Sequence, residues 1–146
     1  MKIDPREIWR RTRLGVWPER YVLASVAPAR LGEAASLVAT TDGADTFAAL
    51  VVERDEVSIT IAEGAWAASG LSRGARTEGP FRALTLDVDV DLGVCGYLAP
   101  AAVRLAEAGV AIVPQCGFLK DHLLVHERDL DRAVEVLEAW IAECRR

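Results

Sequence analysis

Asp87, Asp89 and Asp91 alternate with valines, and Gly93, Cys95 and Gly96 follow within five residues. Aspartates accept hydrogen bonds from an ammonium group, and glycines let a ligand come close to the backbone. A loop that leads into a helix also presents unpaired amides and the positive end of the helix dipole to a carboxylate. The chemistry in question is therefore capture of a small zwitterion, with Asp89, Asp91 or a carbonyl near Pro114 receiving the ammonium. The alternative is that the glycines close a strand-to-helix turn and the aspartates face solvent. On these residues alone both readings stay open.

Other constellations carry less. The run Asp87 to Asp91 invites a calcium loop, but counting from Asp87 the sixth position is Leu92 rather than Gly and the twelfth is Leu98 rather than Glu. His122 and His126 sit four apart in an expected strand, roughly 13 Å apart at strand rise, too far to share one metal even with Cys116 recruited. Cys95 lies near the amino end of an expected helix, which lowers a thiol pKa, but no base is identifiably placed beside it. Trp66, Trp140 and Phe47 read as packing residues.

The elements that position the aspartate loop are legible. Phe81 to Val90 alternates with period two as a half-buried strand. Tyr97 to Ala108 spaces Leu98, Ala101, Ala102 and Leu105 as a helix, with Pro100 in its first turn and Gly109 past its end. Val110 to Val113 and Leu123 to Val125 are apolar runs compatible with a hairpin. A last helix from near Arg128 stripes Leu130, Ala133, Val134, Leu137, Trp140 and Ile141 along one face.

The first half reads as a weaker version of the same order. Strands are expected at Tyr21 to Ala27, Thr46 to Glu53 and Val57 to Ala62, and a short helix at Gly64 to Ser69. Between the first two strands only Leu31 to Val38 is plausibly helical, so that helix is expected to be short or missing. Leu71 to Pro80 carries turn residues without periodicity and reads as a linker. Since a plait needs four strands and the second half supplies three, Glu7 to Leu14 is the candidate for the fourth.

The chain has 146 residues, 51% of them hydrophobic, and a net charge of -5. That is enough to bury a core without help. Its basic concentration, Lys2 to Arg20, stands against an acidic remainder and reads as a solvated arm, or an edge strand kept soluble by arginine, rather than a nucleic-acid contact. The amino terminus does not read as a secretory signal, and the apolar run Leu92 to Val103 is too short to span a bilayer. Three cysteines at unrelated spacings suggest neither a disulfide framework nor a zinc site, and a reduced, cytoplasmic protein is expected.

The second half resembles the paired ACT domain proteins. The matching pieces are Leu98 and Ala99, Leu105 to Val110, Asp121, Leu123 to Val125 and Asp129 to Ala133, with a weaker echo at Arg54 to Ile61. Where that family carries a Thr-Tyr-Asp-Thr-Asp-like turn, this chain reads Cys116, Gly117, Phe118, Leu119, Lys120, Asp121, and only Asp121 corresponds.

The resemblance implies an α+β fold of two ferredoxin-like βαββαβ plaits, with antiparallel sheets and helices on one face. The first half would be degraded. Residues 1–70 would hold the arm and that half, 71–80 the linker and 81–146 the better half. It further implies a non-catalytic amino-acid sensor without a cofactor or metal. Its pocket would lie between loop Asp87 to Gly96 and strand Ile112 to Gly117, facing the other half or another subunit, and would be lined by Asp89, Asp91, Leu92, Gly93, Val94, Cys95, Gly96, Tyr97, Ile112, Val113, Pro114, Gln115 and Asp121. A homodimer is expected, built by edge pairing of sheets or by helices near Trp140, with no nucleic-acid or membrane partner. The output would come from assembly or from an outside protein partner. A structural module with a decayed pocket is the competing reading, and an enzyme ranks last.

Overall fold

The computed structural model describes residues 3–146; Met1 and Lys2, the start of the expected basic arm, lie outside them. The chain divides into two compact units, residues 3–16 with 84–146, and residues 17–83.

In the first unit the amino-terminal segment is not an arm. Asp4 accepts a hydrogen bond from the Arg6 amide at 2.9 Å and Pro5 occupies the first turn, so Pro5–Arg11 forms helix α1. Ile8 and Trp9 on it are buried. Strand β1, Arg13–Val16, follows and pairs antiparallel with residues 84–87. The strand expected over Glu7 to Leu14 is therefore displaced to 13–16. The cap and Pro5 start a helix upstream, and Ile8 and Trp9 are neighbours on one helical face rather than alternating as in a strand.

Residues 17–83 hold β2 (Tyr21–Val26), α2 (Leu31–Ala39), β3 (Ala49–Val52), β4 (Val57–Ala62), α3 (Glu63–Ala68) and the first part of β5 (Arg76–Asp87). Helix α2 is nine residues long, so the helix expected to be short or missing is present at the same length as α4 below. Strands run in the order β5-β2-β4-β3. Val22, Ala24, Val26, Val57, Ile59 and Ile61, alternate residues of two strands, share one core with Ala34 of α2 and Trp66 of α3. Both helices thus cover the same sheet face.

The expected linker 71–80 is a 3-10 turn, Gly70–Ser72, and then strand: Arg76, Thr77 and Glu78 pair with Ser25, Ala24 and Leu23. Gly79 and Pro80 made this stretch look like a loop, but they sit at a register shift within β5. Gly79 has φ +147°, and a Cβ there would lie 3.0 Å from the Tyr21 carbonyl oxygen.

The remainder of the first unit is the last four residues of β5, then α4 (Ala99–Glu107), β6 (Val113–Cys116), β7 (Asp121–His126) and α5 (Leu130–Arg145). The order is β1-β5-β7-β6. Leu84, Leu86, Leu123 and Val125 meet Ile8, Trp9, Ala101, Leu105, Leu137 and Ile141 in one core.

Arginines join the termini of this unit. Arg6 Nη2 donates to the Glu143 carbonyl at 2.8 Å and Arg10 Nε to that of Cys144 at 2.7 Å, at the carboxyl end of α5 where carbonyls lack helical partners. Arg145 returns bonds to the carbonyls of Arg10 and Thr12 at 3.1 and 3.0 Å. Arg104 lies 3.7 Å from the centroid of the Trp140 ring. The basic concentration expected to be solvated is in this part a set of helix-end contacts.

Removing residues 1–14 would delete α1 and part of β1, and the protein should aggregate or lose its cooperative thermal transition. Trp9→Ala alone should cost about 3–5 kcal/mol, the range for emptying a large aromatic site in a core. An unchanged melting temperature for either variant would show that the amino-terminal segment does not complete this unit.

Candidate functional site

A cleft of about 400 Å³ opens in the unit of residues 3–16 and 84–146, between loop 88–98 and the β6–β7 turn at 117–120. That volume falls within the range of small-molecule pockets, about 300–1,000 Å³. Loop and turn are tied together: the Val90 amide donates to the Leu119 carbonyl at 2.9 Å, and Lys120 Nζ donates to Asp87 Oδ1 at 2.6 Å with Asp89 Oδ1 at 3.8 Å. The Gly117 amide closes the turn on the Lys120 carbonyl at 2.9 Å.

The loop holds itself open through Asp91. Its Oδ1 accepts from the Gly93 amide at 2.7 Å and its carbonyl from Val94 at 3.0 Å. Gly96 then turns the chain at φ +83°, a conformation that costs other residues, and α4 begins at Ala99. No side chain caps α4, because its N-cap residue is Leu98. Leu98 and Ala99 line the cleft at this helix end, where Pro100 in the first turn has no amide to donate.

Tyr97 anchors the loop from below. Its ring stacks on Trp9 at 4.7 Å between centroids, and its carbonyl accepts from Trp9 Nε1 at 2.8 Å. Thr12 Oγ1 donates to the Ile8 carbonyl at 3.1 Å, which leaves the Tyr97 hydroxyl to donate to Thr12 Oγ1 at 2.8 Å. Burial pushes the Tyr97 hydroxyl up to about 12, so it stays protonated as this geometry requires.

Of the residues expected at the site, Asp91, Leu92, Val94, Gly96, Tyr97 and Asp121 line the cleft. Gly93 and Cys95 instead border a neighbouring depression of about 540 Å³, with Asp91, Val94, Ile3, Asp4 and Pro5. Asp89 reaches only toward Lys120. Ile112 packs on the core, and Val113, Pro114 and Gln115 lie in β6 opposite Leu124, Leu123 and His122, outside the cleft lining. Of the expected strand wall only the far end, Cys116 and Gly117, lines the cleft, because β6 runs from Val113 and delivers that end and the turn to the loop. Phe118, Leu119 and Lys120 were missed for that reason.

Cys116 is exposed by area, yet loss of water around its thiol and then the Asp121 carboxylate push it up to about 11. It remains a thiol at neutral pH. His122 is lowered, chiefly by burial, and its Nδ1 lies 2.8 Å from Thr85 Oγ1. Among the described residues, no group of three or more His, Cys, Asp and Glu is placed to hold a metal ion. No helix among them is long and apolar enough to cross a membrane.

No protein-family model matches the chain, and no curated protein matches it in sequence. Solved structures do. One is a protein of unknown function from Vibrio cholerae, described as a possible transport protein, at a TM-score of 0.70 and 18% identity over 93% of this chain and 94% of that one. Another, from Agrobacterium tumefaciens, matches at 0.69 and 19% over 88% of each chain. The ligand-free regulatory subunit of aspartate kinase from Thermus thermophilus matches at 0.59 and 11%, over 88% of this chain and 97% of that one. The shared feature is the fold: α+β, with antiparallel strand pairing, as in the regulatory subunits of aspartate kinases. It is consistent with the ACT-like character expected from the sequence.

The Lys120–Asp87 contact makes a titration testable. The hydrogen bond from Lys120, and then its charge, hold the Asp87 carboxyl below the ordinary value, while the same bond raises Lys120. A depressed carboxyl contributes stability above its unfolded pKa, about 3.9, that is lost as pH falls through the lower folded value. Asp87 should therefore titrate below the ordinary range by NMR, and Lys120→Ala should return it there. An Asp87 midpoint unmoved by that substitution would show that the turn does not hold the loop. With both side chains well exposed, the effect on stability should be small and weakened by salt.

Proposed function

We propose that this chain is a non-catalytic regulatory protein built from two ferredoxin-like plaits of ACT type, and that its cleft binds a small zwitterion, with an amino acid as the expected class. The observation that supports this most is the meeting, in one cleft, of the uncapped amino end of α4 with charges of both signs on Asp91, Lys120 and Asp121. Backbone amides suit a carboxylate, and the aspartates suit an ammonium. The two-plait reading rests on the equivalent strand orders β5-β2-β4-β3 and β1-β5-β7-β6, the second completed by the amino-terminal strand. The cleft belongs to one plait only: eleven residues, 88–98, separate β5 from α4, whereas 27–30 alone separate β2 from α2. Output would pass through assembly or a protein partner.

A structural module with a decayed pocket is the second reading. It is favoured by the commitment of Lys120 to Asp87 and by the exposure of Leu92, Phe118 and Leu119 around the cleft.

A thermal-shift screen against the common amino acids separates the two. Binding should raise the melting temperature of the wild-type protein for one or a few of them, with about 2.7 kcal/mol of stabilisation at a ligand concentration one hundred times Kd. Gly96→Val, strained at positive φ, and Asp91→Ala, which unties the loop, should each abolish that shift while the unliganded protein keeps its circular dichroism. No shift with any amino acid favours the structural reading. A normal shift in both variants puts the site elsewhere.

A further inference from the structure

Phe118 and Leu92 are the two most exposed large apolar side chains among the described residues, at 77% and 71%, and both line the cleft. They stand on opposite walls. Leu92 belongs to loop 88–98 and Phe118 to the β6–β7 turn, where Leu119 beside it is also exposed. Apolar residues scattered singly over a surface need no explanation, but the two extreme cases meeting across one cleft do. The floor beneath them is apolar as well: Val90, Val94 and Leu98 line the same cleft and pack against the core of this unit.

The spacing of the two walls is set by the protein itself. The Val90 amide bonds the Leu119 carbonyl and Lys120 bonds Asp87 across the same gap, so the slot between Leu92 and Phe118 is formed before anything enters it. Lys120 also settles the charge at this end. Its ammonium lies 2.6 Å from Asp87 Oδ1 and 3.8 Å from Asp89 Oδ1. The cation that an acidic side chain would need is therefore already bonded, and the two carboxylates that a basic side chain would need already share that ammonium. A charged side chain laid between Leu92 and Phe118 would lose water without a free partner of opposite sign.

We infer that this slot selects the side chain of the bound amino acid, and that it takes a large apolar one, of the leucine, methionine or phenylalanine class. The inference rests on the ligand reading given above and adds to it the residues that set specificity, Leu92 and Phe118. The charged head of the ligand is held by Asp91 and Asp121, and its side chain lies over the apolar floor between the two walls. Burial then acts on both partners at once: the side chain of the ligand leaves water, and so do the two most exposed apolar side chains of the protein. The occupant is a free small molecule because the apolar walls run directly into the charged part of the same 400 Å³ cleft, and a ligand with a charged head and an apolar tail matches both.

Titration calorimetry of the full chain with L-leucine, L-phenylalanine, L-alanine, L-lysine and L-aspartate reads the selectivity. Leucine or phenylalanine should bind at least about ten-fold more tightly than alanine, since each methylene taken out of water is worth about four-fold. Lysine and aspartate should bind no better than alanine. In the double variant Phe118→Ser with Leu92→Ser, leucine and phenylalanine should fall to the level of alanine. Both side chains are mostly in water, so that variant should keep its circular dichroism and melting temperature. A wild type that binds alanine, lysine or aspartate as tightly as leucine overturns the inference and leaves the ligand reading standing, and so does a double variant that keeps the preference. If none of the five binds, the inference falls, and the thermal-shift screen over the remaining amino acids decides whether the ligand reading falls with it.

Discussion

The contact on which the site depends is that of Trp9 with Tyr97. The indole is fully buried, stacks on the Tyr97 ring and donates to the Tyr97 carbonyl at 2.8 Å. It thereby fixes the residue between Gly96 and α4, where the loop becomes a helix. A buried aromatic with its polar group satisfied is costly to displace. The consequence is that the loop's lower end is set by a segment more than eighty residues away in sequence, while its upper end is held by the β6–β7 turn.

This arrangement explains why residues 84–146 do not stand alone. They supply three strands and two helices, and the amino-terminal residues supply the fourth strand and Trp9. Arg6, Arg10 and Arg145 then bind the end of α5 to the start of the chain through carbonyls that a helix leaves unpaired. Residues 17–83 are thus inserted between β1 and β5 in sequence, and β5 runs through the boundary, giving residues 76–83 to one unit and 84–87 to the other. The loop after β2 has no comparable length.

Most elements with a single strong period were legible. The stripe of α5, the β3–β4 hairpin and the ends of α4 marked by Pro100 and Gly109 lie close to where alternation and helix punctuation put them. What escaped was decided by tertiary pairing. Gly79 and Pro80 carry turn chemistry locally, yet β2 offers them a strand partner with a register shift, and the strand wins. Around Trp9 the local pattern admits a strand, and only Asp4 as cap and Pro5 behind it point to a helix. At the site, the aspartate loop was visible because glycines and carboxylates are local signals. The contribution of Lys120 was not, because it depends on a hairpin turn folding across to Asp87.

The proposal to be tested is that the cleft between loop 88–98 and the turn at 117–120 is the ligand site. Backbone amide chemical-shift mapping during titration with amino acids tests this most directly. The account predicts shifts concentrated at residues 91–99 and 117–121, with none at 27–31 or 53–56. Shifts clustered in residues 17–83, or a spectrum unmoved by every amino acid at millimolar concentration, would contradict it.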